Sequence, residues 1–177
     1  SNGVSEGLNV SCAKINDATV CNGKVTIINS TINLPEFVNR NIVVVENSTI
    51  NTTHVTSGGR PASETTNEEV ATAEFTLTNS KLNAVGNITN GYEGIGIMNV
   101  DANSNVNVDE LTVTATGTLN SAGNITGAIV KAEEGTIQLT GGIYTTEPQE
   151  GWCAENYGAF PYDENSWVVR EIFGEQT

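Results

Sequence analysis

A five-residue phrase recurs along this chain, and that recurrence limits the fold more than any other feature. Asn29-Ser30-Thr31-Ile32-Asn33 returns as Asn47-Ser48-Thr49-Ile50-Asn51, then as Asn79-Ser80-Lys81-Leu82-Asn83 and Asn103-Ser104-Asn105-Val106-Asn107. Glu134-Gly135-Thr136-Ile137-Gln138 reads as a looser fifth copy, and the starting positions lie 18, 32, 24 and 31 residues apart. An apolar run precedes each copy: Val25 to Ile28, Ile42 to Val45, Phe75 to Leu77, Ile95 to Met98 and Ala128 to Val130. The unit is therefore a strand, a tight Asn/Ser or Gly turn, a second short strand and a connection of variable length. Period-2 alternation runs through it, with Val100, Ala102, Ser104, Val106 and Val108 opposed to Asp101, Asn103, Asn105, Asn107 and Asp109. Leu111, Val113 and Ala115 continue the pattern against Thr112, Thr114 and Thr116.

A unit this small cannot cover both of its own faces. Stacking the copies in parallel pairs each backbone with the rungs above and below and gathers the aliphatic side chains inside. The expected fold is all-β, a right-handed parallel β-helix of about five rungs. Variable spacing suits it, because rungs keep their strands while loops change length. A propeller or sandwich also offers many short strands and is the alternative. The expected division is a lead-in over 1–23, rungs over 24–146 with long loops at 52–73 and 84–94, and a C-terminal cap over 147–177.

Composition agrees. Val and Ile carry most of the apolar content among abundant Asn, Thr, Gly and Ser, which disfavours a helical bundle. The net charge of -14 argues against nucleic acid or an anionic lipid surface as partner. No membrane-spanning run is visible, so direct membrane insertion is not expected. Cys12 and Cys21 are close enough to staple an N-terminal loop in an oxidising compartment, leaving Cys153 over; three reduced thiols are the alternative. Sequons begin at Asn9, Asn29, Asn47, Asn51, Asn87 and Asn124, most of them explained by an Asn/Thr-rich composition. Ser1-Asn2 looks like a cleavage remnant, so the chain is expected to be a segment of a larger bacterial protein.

From Gly141 the character changes. Trp152, Tyr157, Phe160, Tyr162, Trp167 and Phe173 make six of the ten aromatics, and seven acids follow Thr146 against Arg170 alone. Such a segment suits the cap of an open solenoid end, with Ser166 to Ile172 as a closing strand. The stretch Ile137 to Tyr144, then Pro148, Ala154-Glu155-Asn156-Tyr157 and Trp167-Val168-Val169, resembles the last rung and closure of β-helical modules in gut-bacterial surface proteins. It departs from them by Asn156 where Gly is usual, and by Cys153. The resemblance covers about 40 residues; it implies a right-handed parallel β-helix on a cell surface, or on a phage that meets such cells, and implies no reaction.

Few residues point to chemistry. Asp101-x-Asn103-x-Asn105 matches the start of a calcium loop, but Val106 and Thr112 stand where the glycine and closing glutamate belong. Asp109-Glu110 and Glu133-Glu134 are the acids a glycan hydrolase would use across rungs, since that chemistry needs two carboxylates about 5–10 Å apart. A lyase would need a base among Lys14, Lys24, Lys81, Lys131, Arg40, Arg60 and Arg170, none of which sits among acids at matching rung positions. Thr112, Thr114, Thr116 and Thr118 form a Thr row on one rung only, short of an ice-binding array. Trp152, Tyr157 and Tyr162, with Tyr92 on a loop, are candidates for stacking sugar rings. His54 has no metal-ligand partner at suitable spacing, and no cofactor is expected. The expected function is a non-catalytic extracellular surface or adhesion module contacting a glycan or a host or cell-surface protein. A glycan-active β-helix enzyme and a phage fibre or tail component are the alternatives.

Overall fold

The computed structural model describes residues 12–15, 18–21, 23–60 and 72–172, of which 12–15 are described as backbone. Among these, no helix forms, and none could therefore cross a membrane. The described residues form a parallel β-solenoid of about five turns. A lead-in hairpin, β1 (Cys12–Ile15) and β2 (Ala18–Cys21), enters the first turn of β3 (Val25–Ile28), β4 (Thr31–Asn33) and β5 (Glu36–Asn39). The second is β6 (Ile42–Glu46), β7 (Thr49–Thr52) and β8 (His54–Ser57). Three longer turns follow: β9 (Thr72–Thr78) with β10 (Lys81–Asn90), β11 (Ile95–Val100) with β12 (Asn105–Val113), and β13 (Gly117–Ser121) with β14 (Asn124–Lys131). The chain ends in β15 (Thr136–Leu139), β16 (Ile143–Tyr144) and a hairpin of β17 (Tyr157–Asp163) and β18 (Ser166–Glu171).

One wall is the six-stranded sheet β3-β6-β9-β11-β13-β15. The second is the column β4-β7, the first half of β10, and its counterparts in β12, β14 and β16. The third is β2-β5-β8 and the second halves of β10, β12 and β14. Early turns use separate strands for the second and third walls. Later turns use one bent strand, with Val85-Gly86 opposing Asp109 and then Val108-Asp109 opposing Gly127. A single-residue corner demands glycine: Gly127 has φ +128, and a Cβ there would lie 1.8 Å from Val108 O.

The core is a set of inward columns. Val25, Val43, Phe75, Met98, Leu119 and Ile137 are aligned through the first wall, and Ile32, Ile50, Leu82, Val106, Ile125 and Tyr144 through the second. All are buried.

The repeated phrase now has a physical account. Asn29, Asn47 and Asn79 adopt φ of 51, 49 and 45, a left-handed conformation that Asn tolerates better than most residues. The next residue turns inward: Ser30 N–H donates to Ser48 Oγ (2.9 Å), Ser48 N–H to Ser80 Oγ (3.0 Å) and Ser80 N–H to Ser104 Oγ (3.0 Å). Buried backbone donors at the corner are thus satisfied by the rung that follows. The aliphatic residue fills the core, and the closing Asn lies on the outer face.

The structure corrects the phase of the fifth copy. Thr136-Ile137-Gln138 belongs to the first wall, pairing with Thr118-Leu119-Asn120, whereas the phrase elsewhere spans the second. The true successors of Ser104 are Gly123 and Gly142, as Asn124 N–H donates to Ser104 O and a Cβ on Gly142 would meet Gly123 O. The expected loop at 84–94 is also corrected, because β10 runs to Asn90 and only the Gly91–Gly94 turn interrupts it. Of the expected loop at 52–73, His54–Ser57 is strand, while 61–71 lie outside the described residues. Residues 1–11, with the Asn9 sequon, and 173–177, with Phe173, also lie outside them. Ala102 and Ala115, expected inward, are exposed because the chain turns there.

Candidate functional site

The outer face of the second wall presents two aligned columns. Thr31, Thr49, Lys81, Asn105 and Asn124 form one; Asn33, Asn51, Asn83, Asn107 and Thr126 form the other. The second is an amide ladder: Asn51 Nδ2 donates to Asn33 Oδ1 (2.9 Å), Asn83 to Asn51 (2.9 Å) and Asn107 to Asn83 (2.7 Å). Asn124 Nδ2 donates likewise to Asn105 Oδ1 (2.9 Å), and Ile143 N–H to Asn124 Oδ1 (2.8 Å). A primary amide has two N–H donors and two oxygen lone pairs, and each shared bond uses one of them. The ladder leaves the remainder unused, and the amides repeat at rung spacing, about 4.8 Å. Lys81 is the one charged side chain in the two columns.

This face ends at a cleft. Ile143 and Thr145 continue the two columns, and the β17–β18 turn flanks them, so that they line an open, shallow cleft of about 520 Å³ with Tyr162, Asp163, Glu164, Asn165 and Ser166. Tyr162 is 60% exposed there. Asn165 N–H donates to Asp163 Oδ1 at 2.8 Å. The Ser166 hydroxyl beside Asp163, and then the Asn165 N–H, hold that carboxyl below its usual range. The proximity falls short of hydrogen-bond geometry, and Ser166 Oγ is buried without a partner.

The other proposed stacking residues do not join Tyr162. Trp152 is only 6% exposed and closes the core, so its ring is covered, and half-buried Tyr157 packs against the same cluster. Both belong to the aromatic segment expected to cap the open solenoid end, and they pack there. Tyr92 is exposed on the Gly91–Gly94 turn, but Arg40 lies over its ring (5.4 Å) while pairing with Glu93 (2.6 Å). Arg40 ties that turn to the first one.

The acids stay apart. Glu110 pairs in register with Ala128, three steps before Val113 pairs with Lys131, and Glu133-Glu134 lie past Lys131. Three strand steps alone cover about 10 Å, so Asp109-Glu110 and Glu133-Glu134 lie towards opposite ends of the third wall. Glu110 Oε1 accepts instead from Thr112 Oγ1 (3.2 Å). Asp101 accepts from Asn79 N–H (3.1 Å), Asn103 N–H (3.1 Å) and Ser104 Oγ (2.6 Å), which makes it a turn cap. Asn105 belongs to the amide columns, so Asp101, Asn103 and Asn105 do not converge, and among the described residues no three His, Cys, Asp or Glu side chains cluster for a metal.

Cys12 stands opposite Cys21 in the β1–β2 ladder, and Cys21 is disulfide-bonded. Cys153 is free and half-buried, and burial raises its thiol pKa. His54 does more than sit in solvent: its Nδ1 accepts from Asn87 N–H (3.1 Å), and Gly86 leaves room for the ring. Two further surface clefts, of about 240 Å³ beside His54 and about 360 Å³ on the first wall at Asn99 and Asn120, hold no exposed aromatic ring.

Comparison with protein-family models, curated proteins and solved structures found no match.

Proposed function

We propose that this domain is a non-catalytic surface module that binds glycan chains along the outer face of its second wall. The observation that carries this is the pair of aligned columns, almost free of charge, in which the ladder amides repeat from rung to rung and each keeps hydrogen-bonding capacity that the ladder does not use. Hydroxyl-rich polymers offer the complementary pattern, and a regular polymer meets the same groups at each rung. The acidic surface disfavours polyanions, and a disulfide at Cys21 suits an extracytoplasmic setting.

The test is a microarray of neutral plant, fungal and bacterial polysaccharides, read with reducing-sugar release on each ligand found. Binding without release is expected, weakened in Asn83→Ala/Asn107→Ala. Release that disappears in Glu110→Gln or Glu134→Gln would make the domain an enzyme. Binding to none of the polysaccharides would reject the glycan assignment.

A further inference from the structure

We propose that the cleft under the β17–β18 turn is a discrete subsite for one or two rings of an uncharged sugar, stacked on Tyr162 and hydrogen-bonded by Ser166 and the turn. The proposal rests on the glycan assignment above and adds a second mode of contact to it. The flat face offers many weak contacts to a polymer, whereas the shallow cleft offers an exposed ring and a cluster of polar groups to a short ligand.

Three independent features meet there. The volume of about 520 Å³ falls within the roughly 300–1,000 Å³ of small-ligand sites. Tyr162 keeps 60% of its surface exposed while Tyr144 and Trp152 in the same region are buried, so its ring is not needed for packing the cap. Ser166, at 6% exposure, lines the cleft beside Asp163, and its buried hydroxyl makes no protein hydrogen bond of good geometry. A buried hydroxyl without a partner carries a desolvation cost, which a ligand hydroxyl would relieve.

The chemistry of the lining selects the ligand. Asp163 and Glu164 accept from sugar hydroxyls and repel uronates and sulfates, and the amide of Asn165 adds a donor. A single exposed ring is not the aromatic cage that a quaternary ammonium requires. Ile143 and Thr145 form the floor and continue the two columns, so a sugar seated in the cleft lies in line with a chain on the face.

The experiment uses the whole domain with maltose, cellobiose, mannobiose, N,N′-diacetylchitobiose and digalacturonate, by saturation-transfer NMR and calorimetry, beside the polysaccharide array. At least one neutral disaccharide should bind. Tyr162→Ala should weaken it about tenfold, the upper end for one aromatic stacking contact, and Ser166→Ala should weaken it too. Tyr162 is exposed, so its variant tests the site even where Ser166→Ala fails to fold. Polysaccharide binding that persists unchanged in Tyr162→Ala, with no disaccharide bound, overturns the subsite and leaves the glycan face standing. Absence of both kinds of binding overturns both proposals. Preference for digalacturonate overturns the assignment to uncharged sugars.

Discussion

Removing the Ser80 hydroxyl tests whether the inward serine ladder holds the solenoid together. In Ser80→Ala, Ser48 N–H loses its acceptor at 3.0 Å, in a residue only 5% exposed. A buried donor left without a partner costs about 1–3 kcal/mol. Two bonds donated by Ser80 Oγ also disappear, to Thr78 O (2.8 Å) and a longer one to Val45 O (3.3 Å); the Thr78 carbonyl still accepts from Asn47 N–H (3.1 Å). Alanine keeps the Cβ and opens almost no cavity. The orphaned donor therefore decides the outcome, at about 2 kcal/mol, or a Tm lower by roughly 4–8 °C in a domain of this size. Urea unfolding followed by circular dichroism measures it, with an unchanged m-value required for a two-state comparison. On the outer ladder, Asn83→Ala should cost less, because water replaces the lost partner. A Ser80→Ala domain within 0.5 kcal/mol of the wild type would refute the ladder as a stabilising element.

Other changes probe other parts. A Cβ at Gly86 would lie 2.4 Å from His54 Cε1 and 2.9 Å from Thr53 O, so Gly86→Ala should destabilise the corner. In a double-mutant cycle with His54→Ala, the combined loss should be smaller than the sum, and strict additivity would contradict the contact. Asn79 at φ 45 predicts that Asn79→Ala costs more than Asn79→Gly in the same denaturation assay. Burial holds the Tyr144 hydroxyl far above its ordinary value of 10.0, with Ser121 opposing and Cys153 adding to the shift. The folded chain keeps a proton that the unfolded chain releases near that pH, so stability is full below pH 10 and falls as pH rises above it. Tyr144→Phe should flatten that alkaline decline, which equal slopes in the two proteins would exclude.

The scaffold was legible because its signals are local. Asn at a left-handed turn, Ser at the corner, an aliphatic residue inward and Asn outward form one phrase, and four copies announce the stacking direction. The phase of the last turns was hidden because glycine replaces serine: Gly123 and Gly142 occupy the ladder position without resembling it. Thr136-Ile137-Gln138, which does resemble the phrase, sits one wall earlier. The stretch at 84–94 looked like a loop because Gly86, Asn87 and Asn90 are turn formers, yet Gly86 lies at the bend in β10 and Asn87 N–H meets His54 across rungs. Asn156 is a clearer case: it stands where the resembling modules carry glycine, and its φ of +69 shows why asparagine serves there.

The site was less legible, for a reason built into solenoids. Residues that meet on a face are separated by whole turns: Asn33, Asn51, Asn83 and Asn107 become neighbours only once register is known. The sequence shows the same four residues as the closing positions of the repeated phrase, so a structural role accounted for them and the binding role proposed above left no separate mark. Tyr162 was visible as one of several aromatics, but what distinguishes it from Trp152 is exposure, set by a hairpin that folds back over the last rung. Pro161 beside it removes a backbone donor from β17, which suits an edge strand and discourages pairing with another sheet. The hairpin thus covers the solenoid end with its buried residues and frees one ring on its turn, and that division of labour makes the cap the most informative place to mutate.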